Sequence, residues 1–221
     1  MKKLFTAILV VSCLGLFSND TTYYSTLRKS LYQADKSYTV DSYRQLANTC
    51  ERIIPVVSNE WLPYYYCAYA NVHLAYMHTN EDVKTLYCNK AQALLDSAMK
   101  IKPADSENYV LQALIYFAKM QVNQMVSGPL YFPKSQEILN KAGLLNPSNP
   151  RVYYIMGQSK MNTPKFFGGG PEAAVPCFEK AIKLFEEFHC ENNLYPYWGK
   201  EHNTILYNKC KEDADNTDTG Q

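Results

Sequence analysis

The hydrophobic residues between positions 41 and 186 recur with the spacing of one face of an α-helix. In three segments a tyrosine is followed four residues later by a small residue: Tyr64 and Ala68, Tyr109 and Ala113, Tyr153 and Gly157. The leading tyrosines are 45 and 44 residues apart. Residues four apart lie on the same face of a helix, so this pattern predicts three helices that each approach a neighbour closely at the small residue.

A second helical pattern follows each of these segments, with positions spaced four and then three residues apart. Its members are Ala91, Leu95 and Ala98, then Ser135, Leu139 and Ala142, then Ala174, Phe178 and Ala181. An earlier segment with Tyr43, Ala47 and Cys50 keeps this spacing with large and small residues exchanged. Pro103 and Pro147 predict the ends of two of these helices, because proline cannot continue a helix.

Together these positions resemble the tetratricopeptide repeat (TPR), in which aromatic residues, small residues and a closing proline recur in each pair of helices. The resemblance covers residues 41–186 and implies an all-α fold of antiparallel helical hairpins, stacked as a short right-handed solenoid. The repeats here exceed the family's roughly 34 residues, with the additional residues between the two helices of each hairpin. Residues 23–36 have a helical pattern without a small contact residue and are expected to form an N-terminal cap.

The patterns also predict the boundaries of the domain. The first helices of the hairpins are expected at residues 61–77, 106–125 and 150–161, and the second helices at residues 41–58, 82–100, 133–145 and 171–188. A capping helix at residues 196–212 would cover the apolar face at the end of the array. The repeat domain is thus expected at residues 19–212, before a flexible polar tail at residues 213–221.

Residues 1–18 have the layout of a secretory signal peptide. Lys2 and Lys3 precede an apolar run over residues 4–17, which is too short to favour a membrane-spanning helix. Cleavage near Ser18 would place the protein in the periplasm or the cell envelope. Alternatively, the residues up to Cys13 resemble a bacterial lipoprotein box, and lipidation of that cysteine would then provide the membrane anchor.

The charge balance makes nucleic acid an unfavourable partner. The 221 residues include 22 Lys and Arg against 21 Asp and Glu, so there is no overall positive field to attract a polyanion. Tyrosine is abundant, with 19 residues, and its apolar ring with a polar hydroxyl is favoured on surfaces that make contacts.

The inner, concave face of the array is the first candidate binding surface, because repeats of this kind commonly bind partners there. Residues rotated away from the packing stripe of the first helices are mostly apolar, and the candidates are Tyr65, Tyr69, Leu114, Phe117, Tyr154 and Gln158. The alternative is that these residues belong to the core, since a short, tightly curled array fills its own interior.

The inter-helix segments at residues 126–133 and 163–171 are the second candidate surface. They combine Gly and Pro with aromatic residues, and the candidate contact residues are Tyr131, Phe132, Phe166 and Phe167. Three successive glycines at 168–170 suggest a phosphate-binding turn, but no strand precedes them and no Lys-Ser/Thr pair follows, so a structural turn is favoured.

No recognised catalytic or metal-binding motif occurs in the chain. There is no Gly-x-Ser-x-Gly or His-Glu-x-x-His sequence, and His189, Cys190, His202 and Cys210 match no compact zinc spacing. We therefore expect a non-enzymatic protein without a cofactor or a bound metal. Buried thiols are expected at the two cysteines in packing positions, 50 and 67, and a Cys190–Cys210 disulfide remains an alternative for an oxidising compartment.

The sequence supports three hypotheses about function. The first is an envelope scaffold protein that binds a peptide or a protein through the concave face or the aromatic loops. The second is a small-ligand carrier or an enzyme with a pocket inside the array, and the third is a homo-oligomer that buries the tyrosine face. An open groove would favour a chain-like partner, whereas a site with convergent polar groups would favour a small ligand.

Overall fold

In a computed structural model, which describes residues 17–189 and 194–218, the regular elements are helical. The described part of the chain contains nine α-helices: α1 (Phe17–Ser37), α2 (Val40–Ile53), α3 (Trp61–Met77), α4 (Glu81–Ile101), α5 (Ser106–Met120), α6 (Gln124–Leu145), α7 (Pro150–Asn162), α8 (Pro171–Glu187) and α9 (Lys200–Asp218). A 3-10 turn at Lys165–Phe167 precedes α8.

Successive helices pack as antiparallel hairpins, and the hairpins stack side by side. The pairs are α1 with α2, α3 with α4, α5 with α6 and α7 with α8, while α3, α5 and α7 form the row that joins neighbouring hairpins. The last helix, α9, packs against α8 and α7. This is the TPR-like all-α array with a C-terminal helix that the sequence predicts.

Polar residues ahead of four of the helices define where those helices begin. The side chains of Asn80, Asp105, Asn123 and Asn149 each accept a hydrogen bond from a backbone N–H in the first turn of the next helix. Such caps satisfy amide groups that have no partner inside the helix.

The small residues of the repeat pattern lie where helices approach each other. Ala98, Ala142 and Ala181 are fully buried. At Gly157 in α7, a Cβ atom would come within 2.5 Å of the ring of Phe178 in α8, so only glycine permits this packing distance. The ring of Phe178 therefore fills the space that Gly157 leaves open.

The α5–α6 hairpin differs from the prediction. Helix α5 ends at Met120 instead of residue 125, and α6 begins at Gln124 because the side chain of Asn123 caps the amide of Val126 at 3.3 Å. The prediction of a loop at residues 126–133 was wrong, since this segment is helical despite containing two prolines. Helix formation starts upstream of these prolines, at the cap.

Both ends of the domain also depart from the expected boundaries. Helix α1 starts at Phe17, and most of the proposed signal peptide, with Cys13, lies outside the described residues. Helix α9 starts at Lys200 and continues through the expected tail as far as Asp218. Among the described residues, no helix is both long enough and apolar enough to cross a membrane.

Candidate functional site

Residues 194–199, named the strap below, cross the inner face of the array in front of α3 and α7. The Tyr66 hydroxyl donates to the carbonyl of Leu194 at 2.7 Å, and the indole Nε1 of Trp198 donates to the Tyr65 hydroxyl at 3.0 Å. The strap residue Tyr195 donates its hydroxyl hydrogen to Asp105 at the start of α5 (3.1 Å). These contacts hold the strap against the first helices of two hairpins.

A buried ion pair packs against the strap residue Trp198. Glu107 of α5 and Arg151 of α7 are 1% and 0% exposed, with 2.8 Å between the carboxylate and the guanidinium. Burial raises the pKa of Glu107, and the neighbouring Arg151 opposes that rise. The guanidinium carbon lies 4.5 Å from the ring centroid of Phe188 and 5.9 Å from that of Trp198, so the cation also contacts aromatic faces.

The strap changes the environment of the tyrosines that the sequence places on the concave face. Tyr65 and Tyr69 are 0% and 4% exposed, and the Trp198 ring lies 5.3 Å from that of Tyr69. Tyr154 and Leu114 are also buried. The expected strip of aromatic residues is therefore not an open, continuous groove in this structure.

Beyond the strap, aromatic side chains and imidazoles converge on one part of the inner face. We name Tyr38, His73, Tyr154 and His202 the inner-face site. Tyr38 lies between α1 and α2, His73 belongs to α3, Tyr154 to α7 and His202 to the first turn of α9. The site thus combines residues from the first, second and last hairpins with one residue of α9.

One wall of the inner-face site is a set of stacked rings around His73. The imidazole lies parallel to the ring of Tyr43, and the ring of Tyr69 meets it edge-on with 4.4 Å between centroids. The exposed ring of Tyr38 lies edge-on to the same imidazole, with 5.7 Å between centroids. Tyr38 adopts φ 46°, a left-handed conformation that is unfavourable for a large side chain.

The opposite wall is a chain of hydrogen bonds between three side chains. The Tyr154 hydroxyl lies 2.6 Å from Nδ1 of His202, and Nε2 of Gln158 donates to the same hydroxyl at 3.1 Å. Gly199, at the end of the strap, has φ 101°, and a Cβ atom there would lie 3.1 Å from the Tyr154 ring. The glycine allows α9 to begin directly beside this ring, which brings His202 to Tyr154.

A partly buried carboxylate links two tyrosines of the His73 wall. Asp35 of α1 accepts hydrogen bonds from the hydroxyls of Tyr43 at 3.0 Å and Tyr69 at 3.2 Å. Burial raises the pKa of Asp35 to about 6, although both hydroxyl donors favour the charged form. Asp35 therefore connects α1, α2 and α3 behind the imidazole.

The electrostatics of the site favour neutral imidazoles. Burial, with a smaller contribution from His202, lowers the pKa of His73 to about 3. Burial also lowers the pKa of His202. His202 contributes to the lowered pKa of His73, and Tyr38 contributes to the raised pKa of Tyr154, so charges on one wall affect the other wall. At neutral pH the four side chains of the inner-face site are therefore uncharged.

The remaining concave-face candidates lie around this site. The carbonyl of Leu114 accepts a hydrogen bond from the Tyr76 hydroxyl at 2.9 Å, and Phe117 is partly buried against the core. Gln158 takes part in the hydrogen bonds of the second wall. The structure therefore brings Tyr69, Tyr154 and Gln158 together near one site, whereas Tyr65 lies under the strap.

The aromatic candidates of the inter-helix segments divide into two groups. Phe166 and Phe167 are 91% and 73% exposed at the turn before α8. Tyr131 and Phe132 are partly buried on α6, and the ring of Tyr131 stacks on that of Tyr116 with 5.7 Å between centroids. Of these four residues, the phenylalanine pair alone projects from the surface.

Sequence reasoning did not select three residues of the site, His73, Tyr38 and His202, or the supporting carboxylate of Asp35. His73 follows Tyr69 by four positions and so continues the same helical strip, which is a signal that the sequence contained. Tyr38, Asp35 and His202 gave no such signal, because the turn after α1 and the start of α9 reach the site only through tertiary packing.

The described residues offer no cluster for a metal ion. No group of three His, Cys, Asp or Glu side chains there has the arrangement needed to hold one. Cys50 and Cys67 are buried free thiols, as expected for packing positions. Cys190, one partner of the alternative disulfide, lies outside the described residues.

Comparison with known proteins supports the fold. No family model matches the chain, and no curated protein matches it significantly. The solved structure of the HusA haemophore from Porphyromonas gingivalis has a TM-score of 0.77 and 28% sequence identity, over 86% of this chain and 94% of that one. This chain is a TPR-like helical protein. A TPR protein from Thermus thermophilus, with a TM-score of 0.52 and 13% identity over 88% and 93% of the two chains, shares the fold alone.

Proposed function

We propose that this chain is an exported, non-catalytic protein that binds a flat aromatic macrocycle of the haem class at the inner-face site. The observation that carries the proposal is the convergence of the His73 ring stack and the Tyr154–His202 pair from opposite ends of the array. Rings can stack on the faces of a macrocycle, and hydroxyl and imidazole groups can bond its polar edge.

The strap favours a small ligand over a peptide. A chain-like partner would need to contact α3, α5 and α7 in succession along the inner face. Trp198 and the adjoining strap residues already occupy that surface and use the Tyr65 and Tyr66 hydroxyls. Beside the strap, the Tyr154 hydroxyl and the His202 imidazole form a group of polar contacts, and convergent polar groups suit a compact ligand.

The similarity to a haemophore supports the choice of ligand class. The HusA haemophore aligns with this chain over almost its whole length. Export agrees with the signal-peptide pattern of residues 1–18. Cleavage near Ser18 and lipidation at Cys13 stay alternatives, and N-terminal sequencing with mass analysis of the mature protein separates them.

Haemin titration tests the proposed function. Wild-type protein is expected to change the Soret absorbance of haemin with saturation, and His73→Ala should weaken the affinity at least about tenfold by removing the centre of the ring stack. His189→Ala is the matched control, because this imidazole is exposed after α8 and its hydrogen bond is to the neighbouring Glu187 carbonyl. No saturable binding by wild type, or equal losses in both variants, would contradict the proposal.

Protein binding at the phenylalanine pair is a second candidate function. Exposure of Phe166 and Phe167 at one turn favours it, since an exposed apolar patch can mark a contact surface for another protein. A Phe166→Ser, Phe167→Ser double variant should lose a protein partner captured from envelope extracts, while His73→Ala keeps it. Sedimentation of the purified protein distinguishes a different partner from a second copy of this chain.

A further inference from the structure

Gln158, Tyr154 and His202 are joined by two successive hydrogen bonds. Nε2 of Gln158 donates to the Tyr154 oxygen at 3.1 Å. The other near neighbour of this oxygen is Nδ1 of His202 at 2.6 Å, and the direction of this second hydrogen bond depends on the tautomer of the imidazole. When the phenol donates its hydrogen to Nδ1, Tyr154 both accepts and donates, and Nδ1 of His202 is an acceptor.

This direction determines which ring nitrogen of His202 carries the proton. A neutral imidazole has one N–H, so a ring that accepts at Nδ1 has its proton on Nε2. Burial lowers the pKa of His202 and raises the pKa of Tyr154, so both side chains are neutral at neutral pH. His202 is buried on the side that faces Tyr154 and exposed elsewhere, so its Nε2–H is available as a hydrogen-bond donor.

We propose that Nε2–H of His202 donates a hydrogen bond to a carboxylate of the ligand, and that Tyr154 and Gln158 are positioning residues that fix this donor. The inference rests on the proposed function and adds that the ligand is recognised by its acidic side chains. His202 lies in the first turn of α9, where the helix dipole also favours negative charge. In this tautomer Nε2 has no lone pair for a metal, so its role is towards a carboxylate.

A pair of porphyrins that differ only at the carboxylates tests the inference. Protoporphyrin IX is metal-free and has two carboxylates, and its dimethyl ester has the same ring without the charges. In fluorescence titrations, His202→Ala should weaken binding of the free acid about tenfold, because a hydrogen bond to a charged group is lost. The same variant should change binding of the ester by less than about twofold. His189→Ala should leave both affinities unchanged.

The positioning role has its own measurement. Tyr154→Phe keeps the ring and removes the hydroxyl, so Nδ1 of His202 loses its donor and the tautomer is no longer fixed. Binding of the free acid should weaken by about threefold, and binding of the ester should weaken less than binding of the free acid. Nitrogen NMR of the ligand-free protein should find the His202 proton on Nε2 in wild type and shared between both nitrogens in Tyr154→Phe.

Three results would overturn the inference. They are equal losses for acid and ester in His202→Ala, no loss for either, and a proton on Nδ1 of His202 in wild type. Failure of the two proposals is distinguishable. If wild type binds neither porphyrin nor haemin, the proposed function fails and the inference fails with it. If wild type binds both porphyrins but His202→Ala does not separate them, the inference alone fails.

Discussion

The imidazole of His73 lies face to face with the ring of Tyr43, with 4.4 Å between centroids and 16° between planes. Nδ1 of this imidazole is buried and has no hydrogen-bond partner among the described residues. A protonated ring in this position would have an unbonded buried N–H in apolar surroundings, which explains why the neutral form is strongly favoured.

The first prediction concerns the pH dependence that follows from His73. The folded pKa is about 3 and the ordinary value for histidine is 6.5, so the unfolded chain binds the proton more readily. The stability that the neutral form of His73 contributes to the folded state is complete above pH 6.5 and is lost as pH falls towards 3. When pH is lowered from 7 to 4.5, the free energy of unfolding of wild type should fall by about 2 kcal/mol relative to that of His73→Phe, as measured by urea unfolding. If the free energies of unfolding of the two proteins changed equally with pH, His73 would have an ordinary histidine pKa in the folded protein.

Asp35 predicts the opposite pH dependence, in which stability is lost as pH rises. Its pKa rises from 3.8 to about 6 on folding, so the stabilising neutral form is lost as pH rises through this range. Asp35→Asn can still accept from both tyrosines and cannot ionise. Its free energy of unfolding relative to wild type should therefore increase by about 2 kcal/mol between pH 4 and pH 7, as measured by urea unfolding. A relative stability that does not vary with pH would contradict the raised pKa.

Two substitutions of Tyr38 should differ in their effect on stability and agree in their effect on haemin binding. Its φ of 46° is natural for glycine and strained for other residues. Tyr38→Gly should be more stable than Tyr38→Ala by about 1 kcal/mol, because only glycine relieves the strain. Both variants remove the ring and should weaken haemin binding alike. Chemical unfolding and haemin titration of the two variants test this, and equal stabilities would show that the turn imposes no strain.

The close approach of α7 and α8 predicts opposite effects at two helical glycines. Gly157→Ala places a Cβ atom against the Phe178 ring and should destabilise the protein by about 2 kcal/mol through overpacking. At Gly128 in α6, an added Cβ atom would meet no atom of another part of the protein within 4 Å. Gly128→Ala should therefore stabilise the protein by about 0.5–1 kcal/mol, because alanine favours the helix more than glycine does. Thermal unfolding of both variants measures the contrast. A tolerated Gly157→Ala would mean that the two helices can move apart.

The buried pair of Glu107 and Arg151 predicts strong coupling between α5 and α7. Glu107→Gln leaves a buried guanidinium without its counter-charge and should cost about 3–5 kcal/mol. The double variant Glu107→Gln, Arg151→Met removes both charges and should be less destabilised than Glu107→Gln alone. A double-mutant cycle in urea checks this, and additive losses would argue against a direct interaction.

The helical repeats could be predicted because they follow from local spacing. The tyrosine-to-small pattern placed α3 at residues 61–77, which agrees with Trp61–Met77. The start of α6 could not be found in the same way, since two prolines suggested a loop while the deciding interaction was a single asparagine cap. The two prolines favoured a loop and the Asn123 cap favoured a helix, and the segment is helical.

The inner-face site was only partly predictable. Tyr69, Tyr154 and Gln158 lie on helices whose inner side could be deduced from periodicity. Their surroundings could not, because the strap and the turn at Tyr38 come from irregular segments without a periodic signal. The burial of Tyr65 beneath Trp198 depends on residues 133 positions apart.

That separation has a consequence for how the protein folds. Arrays of repeats ordinarily gain structure from neighbour to neighbour, so that one end can unravel while the other persists. Here the bonds from Tyr66 to Leu194 and from Trp198 to Tyr65 close loops of 128 and 133 residues. Closing such loops slows folding, and once they form, the second hairpin and the strap gain or lose order together. The strap therefore makes this repeat array behave as one cooperative unit.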